Sequence, residues 1–102
     1  MTAKKSDSGK APISLIPGPA LVECARAFDF GRSKYGQFNF KGGFDYHRLL
    51  DAAFRHLVAF KEGEDLDPES GHNHLGHALA SISMLMDQVA RGAGNDDRYK
   101  AK

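Results

Sequence analysis

A chain of 102 residues with 14 basic and 13 acidic side chains and a net charge of +1 is one domain with a small core. So even a balance lacks the basic excess of a nucleic-acid-binding protein, and a single cysteine excludes an intramolecular disulfide and suits a reducing compartment. No apolar run approaches the ~20 residues of a membrane span, and no apolar leader follows the N-terminal lysines, so the expectation is a soluble, cytoplasmic protein.

Residues 1–12 mix Lys, Ser, Gly and Asp without periodicity and read as a disordered tail. Ile13-Ser14-Leu15-Ile16 is a short apolar segment closed by Pro17-Gly18-Pro19. Pro17 disfavours helix at Ile16, so an extended segment laid across the helices is expected. Pro19 suits a first helical position, and Leu21, Cys24, Ala25 and Phe28 then recur on one helical face, with Gly31 as the stop. Cys24 fits there as a small buried hydrophobe. Residues 31–43 are glycine-rich and aromatic, and read as a loop. Arg32, Lys34 and Lys41 beside Tyr35, Phe38 and Phe40 suit a nucleotide, cations for phosphates and rings for a base. A loop pinned to the core by its aromatics accounts for the same residues.

A second helix is expected from Asp45, a candidate N-cap, to Gly63. Leu49, Ala53, His56 and Phe60 form its apolar stripe. Residues 64–71 are too acidic, and too broken by Pro68 and Gly71, to be helical. Ser70 or Asn73 can cap a third helix reaching about Arg91, with Leu75, Leu79, Ile82, Met86 and Val89 as its main stripe. A second face carries His74, His77, Ala78, Ser81 and Leu85. Residues 92–102 read as a polar tail, which leaves 13–91 as the helical domain.

The junction of the second and third helices gathers the chemistry. His74 and His77 are three apart and share a helical face, Glu64, Asp67 and Glu69 come from the adjoining loop, and His56 lies one turn before the second helix ends. Oxygen donors suit magnesium or manganese, and imidazoles add zinc and iron. Such a set fits a divalent metal that clamps phosphates; an acidic loop neutralised by histidines fits the same residues. No nucleophile motif is present, so covalent catalysis has no support.

Lys34-Tyr35-Gly36 followed by Asn39 and an aromatic, Arg48-Leu49-Leu50-Asp51-Ala52-Ala53, Arg55-His56-Leu57, Gly63-Glu64-Asp65-Leu66-Asp67-Pro68-Glu69-Ser70-Gly71 and His74-Leu75-Gly76-His77-Ala78 occur in one order. Together, over about residues 13 to 90, they resemble the phage and bacterial dATP/dGTP diphosphohydrolase N-terminal domain family. That family is associated with MazG-like, all-α pyrophosphohydrolases, which cut a nucleoside triphosphate into monophosphate and pyrophosphate with magnesium or manganese. The resemblance implies Lys34, Tyr35, Asn39, Arg48 and Arg55 as substrate contacts. It implies His56, Glu64, Asp67, Glu69, His74 and His77 as site residues, with Glu64, Asp67 and His56 catalytic. The MazG-like enzymes pair a Glu-x-x-Glu with a Glu-x-x-Asp. Here Glu64-x-x-Asp67 matches the second half and no Glu-x-x-Glu occurs. Phe40 stands where a tryptophan is expected.

The expected fold is all-α: three main helices in a small bundle, an extended N-terminal segment and a Gly/aromatic loop. The expected function is metal-dependent hydrolysis of a (deoxy)nucleoside triphosphate. The alternative is a non-catalytic nucleotide-sensing or protein-interaction module with a structural metal or polar site. A homodimer or higher homo-oligomer is expected because three short helices leave an apolar face uncovered.

Overall fold

The computed structural model describes residues 2–101 and is all-α, with helices α1 (Gly18–Tyr35), α2 (Tyr46–Lys61) and α3 (His74–Arg91). Single 3-10 turns occupy Ile13–Leu15 and Asn39–Gly42. Among the described residues no strand forms, only isolated bridges at Asp45–Asn95 and Leu66–Asn73, and no helix is long and apolar enough to cross a membrane.

α1 starts at the expected prolines but runs through Gly31 to Tyr35. A mid-helix glycine costs only about 1 kcal/mol, and local bonds offset it. Arg32 pairs with Asp29 one turn back, and the Ser33 hydroxyl donates to the Phe30 carbonyl at 3.0 Å. Gly36, at φ 96°, is the true stop, and its N–H bonds the Arg32 carbonyl. The first turn of the expected loop is therefore helix. The segment at Ile13–Ile16 is also corrected: it is a 3-10 turn whose Ile13, Leu15 and Ile16 are all exposed, not a strap packed on the helices.

α3 packs against both other helices, which inverts the expected face assignment. Its buried positions are His74, Gly76, Ala78, Ala80, Ser81 and Gln88, mostly small residues that let two neighbours approach. A Cβ on Gly76 would lie 2.6 Å from the Glu23 carbonyl oxygen of α1, so only glycine fits that crossing. Of the stripe expected to form the core, Leu75, Ile82, Met86 and Val89 are exposed. Leu21 and Ala25 of the α1 stripe are exposed too, while Ala27 is buried. Cys24 is half-buried, with its sulfur 3.6 Å from the Ser83 hydroxyl. The apolar core is thin: Ala27, Leu49, Ala53, Ala78 and Ala80.

The start of α2 is held from a distance. Asp45 occupies the N-cap position without capping, because its carboxylate accepts from Asn95 Nδ2 at 3.2 Å. Asp97 takes over, accepting from the His47 N–H at 3.0 Å. Gln88, 0 % exposed, binds both polar groups of one peptide residue: Phe44 N–H donates to Oε1 at 2.6 Å and Nε2 donates to the Phe44 carbonyl at 3.1 Å. Gly94, at φ 74°, passes so close that a Cβ would meet the Phe44 oxygen at 2.6 Å. α3 is capped as one of the two candidates required: Asn73 Oδ1 accepts from Leu75 and Gly76 N–H.

Candidate metal centre and cleft

The acidic connection between α2 and α3 folds on itself. Asp67 Oδ1 accepts from the N–H groups of Glu69 (2.7 Å) and Ser70 (3.1 Å), the local turn that a short carboxylate favours. Asp67 N–H donates to the His72 carbonyl, and His74 N–H to that of Asp65. This leaves Asp67 Oδ2 facing His56, 3.7 Å from Nδ1.

His56 comes from the penultimate turn of α2 and His74 from the first residue of α3, and their Nδ1 atoms are 2.9 Å apart. Glu64 Oε1 lies 2.6 Å from Nε2 of His74. A carboxylate accepts from an Nε2–H in that position, and Nδ1 is the nitrogen that faces His56. One donor atom each from His56, Asp67 and His74 fall within 4.8 Å of one another. Two imidazoles and a carboxylate are a chemically sound cation-binding set.

The charges suit that use. Burial pushes the His56 and His77 pKa values down, and for His56 the neighbouring His77 adds to the effect, so both rings are neutral at neutral pH. Burial pushes the Asp67 carboxyl up, but the Ser70 and Glu69 N–H groups outweigh it and hold the group below its usual range. Neutral imidazole and ionised carboxylate are the ligating forms.

The other expected ligands are placed differently. His77 stacks on His56 (4.8 Å between centroids, 13° between planes), and its Nε2 lies 2.6 Å from the Ser70 hydroxyl. Glu64 reaches the cluster only through His74. Glu69 points away and pairs with Lys34 of α1, whose amine sits 5.2 Å from the Tyr35 ring centroid; the bond to Glu69 raises the Lys34 pKa. Sequence reasoning treats Ser70 only as a cap. Its role as anchor of His77 and acceptor for the His72 N–H has no spacing signature, since the pairing depends on how the loop folds. Phe30, edge-on to His72 and His77, is likewise unmarked in sequence.

Beside the cluster opens a cavity of about 540 Å³ between α1, α2 and α3, within the size range of small-molecule sites. Lys34, Tyr35, Asn39, Arg48 and Arg55 all line it, together with His56, Asp67, Glu69 and His77. Glu64 and His74 are not among its lining residues. Phe38 also stays outside it and is exposed. Arg48 rests over the Phe44 ring at 5.4 Å. Among the described residues neither Arg48 nor Arg55 is in an ion pair, whereas Arg32 and Lys34 both are.

The family model described as dATP/dGTP diphosphohydrolase, N-terminal, matches residues 1–98. A protein of Salmonella phage PMBT28 named dATP/dGTP diphosphohydrolase is 38% identical over 98 residues, which cover 96% of this chain and 33% of the relative. The chain thus spans about a third of that relative's length. No solved structure matches it.

Proposed function

Because the chain belongs to the dATP/dGTP diphosphohydrolase N-terminal family, we propose that its cleft binds a (deoxy)nucleoside triphosphate for metal-dependent hydrolysis to monophosphate and pyrophosphate. The observation that carries this reading is the pairing of a His56–Asp67–His74 donor set with an adjoining cavity that holds two arginines outside any ion pair. His56, Asp67 and His74 would hold the cation, and two nitrogens to one oxygen favour manganese, iron or zinc over magnesium. Bound there, a divalent cation supplies Lewis-acid charge for polarising phosphate oxygens.

The chain's own groups have separable tasks. Arg55, one residue from His56, neutralises phosphate charge, and Arg48, two turns earlier, lines the cleft as a further substrate contact. Lys34 exchanges Glu69 for a phosphate when the cleft fills. Asp67 is fixed by its two backbone donors and cannot swing away. Glu64 acts through His74, setting its tautomer. Tyr35 and Asn39 line the same cleft as substrate contacts.

The test is incubation of the purified protein with each (d)NTP plus magnesium or manganese, with analysis for monophosphate and pyrophosphate. Turnover lost in His56→Ala and His74→Ala supports the reading, and turnover equal to those variants in the parent removes it. The second reading, a nucleotide-sensing module without turnover, is favoured by the missing Glu-x-x-Glu. Nucleotide binding without product would establish it.

A homodimer belongs to the same proposal. Leu75, Leu79, Ile82, Met86 and Val89 repeat at intervals of 4, 3, 4 and 3, the seam spacing of paired helices. The residues flanking the seam, Ala78, Ser83, Leu85 and Ala90, bring no charge to repel a second copy. Met86→Glu should convert the dimer to monomer in sedimentation; a parent that sediments as monomer rules the dimer out.

A further inference from the structure

The cleft has two chemically different ends. At the first turn of α3 it is lined by His77, His56, Asp67 and Arg55. Seven positions further along α3, about 10 Å at 1.5 Å per residue, Met84 lines it instead. The aromatic loop is held at that far end: Lys41 pairs with Asp87 at 3.0 Å, one turn beyond Met84. This fold-back sets Phe40 edge-on against Phe28 of α1, centroids 5.4 Å apart, and both rings line the cavity. Gln37 and Asn39 open onto the same cavity, and neither side-chain amide has a hydrogen-bond partner among the described residues. One end thus offers metal donors and Arg55, and the other offers rings, a thioether, free amides and Arg48, whose guanidinium rests over the ring of Phe44, the residue that Gln88 holds.

Resting on the nucleotide reading above, we propose that the Phe28–Phe40–Met84 end is the nucleobase subsite, with Gln37 and Asn39 reading the base edge and the triphosphate directed toward Arg55 and Asp67. A base has a π-face that packs on rings and a thioether. Its edge carries donors and acceptors that an amide matches in both directions. Phosphates gain little from rings and a thioether, and the donor set that would hold their cation lies only at the opposite end, beside Arg55. Polarity along α3 therefore fixes one orientation of the substrate.

The test compares three probes in the presence of manganese: dATP (as its non-hydrolysable α,β-methylene analogue), deoxyadenosine and inorganic tripolyphosphate, titrated by calorimetry. Phe40→Ala should weaken dATP and deoxyadenosine by tenfold or so, leaving tripolyphosphate within about twofold. Arg55→Ala should do the reverse. Because Phe40 also packs on Phe28, circular dichroism checks the fold. Gln37→Ala/Asn39→Ala, at two exposed positions, repeats the test without touching the packing and should weaken dATP severalfold. Equal losses of dATP and tripolyphosphate in Phe40→Ala, or an unchanged dATP affinity in the double variant, overturn the subsite. A parent that binds tripolyphosphate as well as dATP overturns the subsite but leaves the phosphate end standing. A parent that binds none of the probes overturns the nucleotide reading, and the subsite with it.

Discussion

The two connections between helices are held in opposite ways. The acidic one, residues 62–73, is tied by its own residues: Asp67 gathers two N–H groups, Ser70 takes the His72 N–H, and Asn73 caps the helix that follows. The aromatic one, residues 36–45, makes local turn bonds but is anchored by partners more than forty positions away: Asp87, Gln88 and Asn95. A loop that satisfies its own backbone fixes the carboxylate that takes part, as Asp67 is fixed here by two N–H groups. A loop held from outside takes its shape from the helix it rests on, and so forms the wall of a cleft whose floor is that helix.

The sharpest way to break this contrast is at Gln88. Gln88→Leu leaves the Phe44 N–H without a partner and its carbonyl with the Asn95 N–H alone, which should cost about 1–3 kcal/mol, read from urea unfolding. A loss under 1 kcal/mol would mean that the loop is held elsewhere. Asp67→Ala strips the acidic connection of its internal acceptor and should cost about 1–2 kcal/mol. Asp67→Asn keeps that acceptor, so stability should hold while manganese affinity falls at least tenfold; calorimetry separates the two. Asn73→Ala should cost about 1 kcal/mol by removing the α3 cap, measured by thermal melting. The smallest effect is pH dependence. His56 and His77 have folded pKa values below the ordinary 6.5, so the unfolded chain takes up protons first as pH falls. Their contribution is complete above about pH 6.5 and is lost as pH drops through the folded values. His77→Gln should flatten that decline, and an unchanged slope would assign it to other groups.

The same contrast explains what was legible in the sequence. Three helices, the prolines opening α1, the span of α3 and Asn73 as one of two caps follow from local signals, because caps and periodicity act within one or two turns. Gly31 misled because a helix tolerates one glycine when neighbours such as Arg32 and Ser33 support it. The α3 stripe misled for a different reason. Periodicity marks which residues share a face, but a helix wedged between two others buries its small residues and can leave its large ones outside. Of the residues singled out between His56 and His77, the structure gathers His56, Asp67 and His74 into one donor group. That Glu64 would stand behind His74 and Glu69 would turn to Lys34 depends on a backbone path that spacing does not encode. Gln88 and Asp97 were invisible, as their partners lie 44 and 50 positions away.

The clasp around Phe44 also makes the cleft part of a single cooperative unit. Tyr46 N–H bonds the Asn95 carbonyl, Asn95 N–H bonds that of Phe44, and Gln88 closes the set from within α3. Phe44, Tyr46 and Asn95 are joined in one set of bonds, so their amides should exchange with solvent deuterium at one shared rate. Phe44 lines the cavity, so opening of the segment after α3 would also loosen the cleft wall. A bound nucleotide would slow that exchange at Asn95, although Asn95 does not line the cavity.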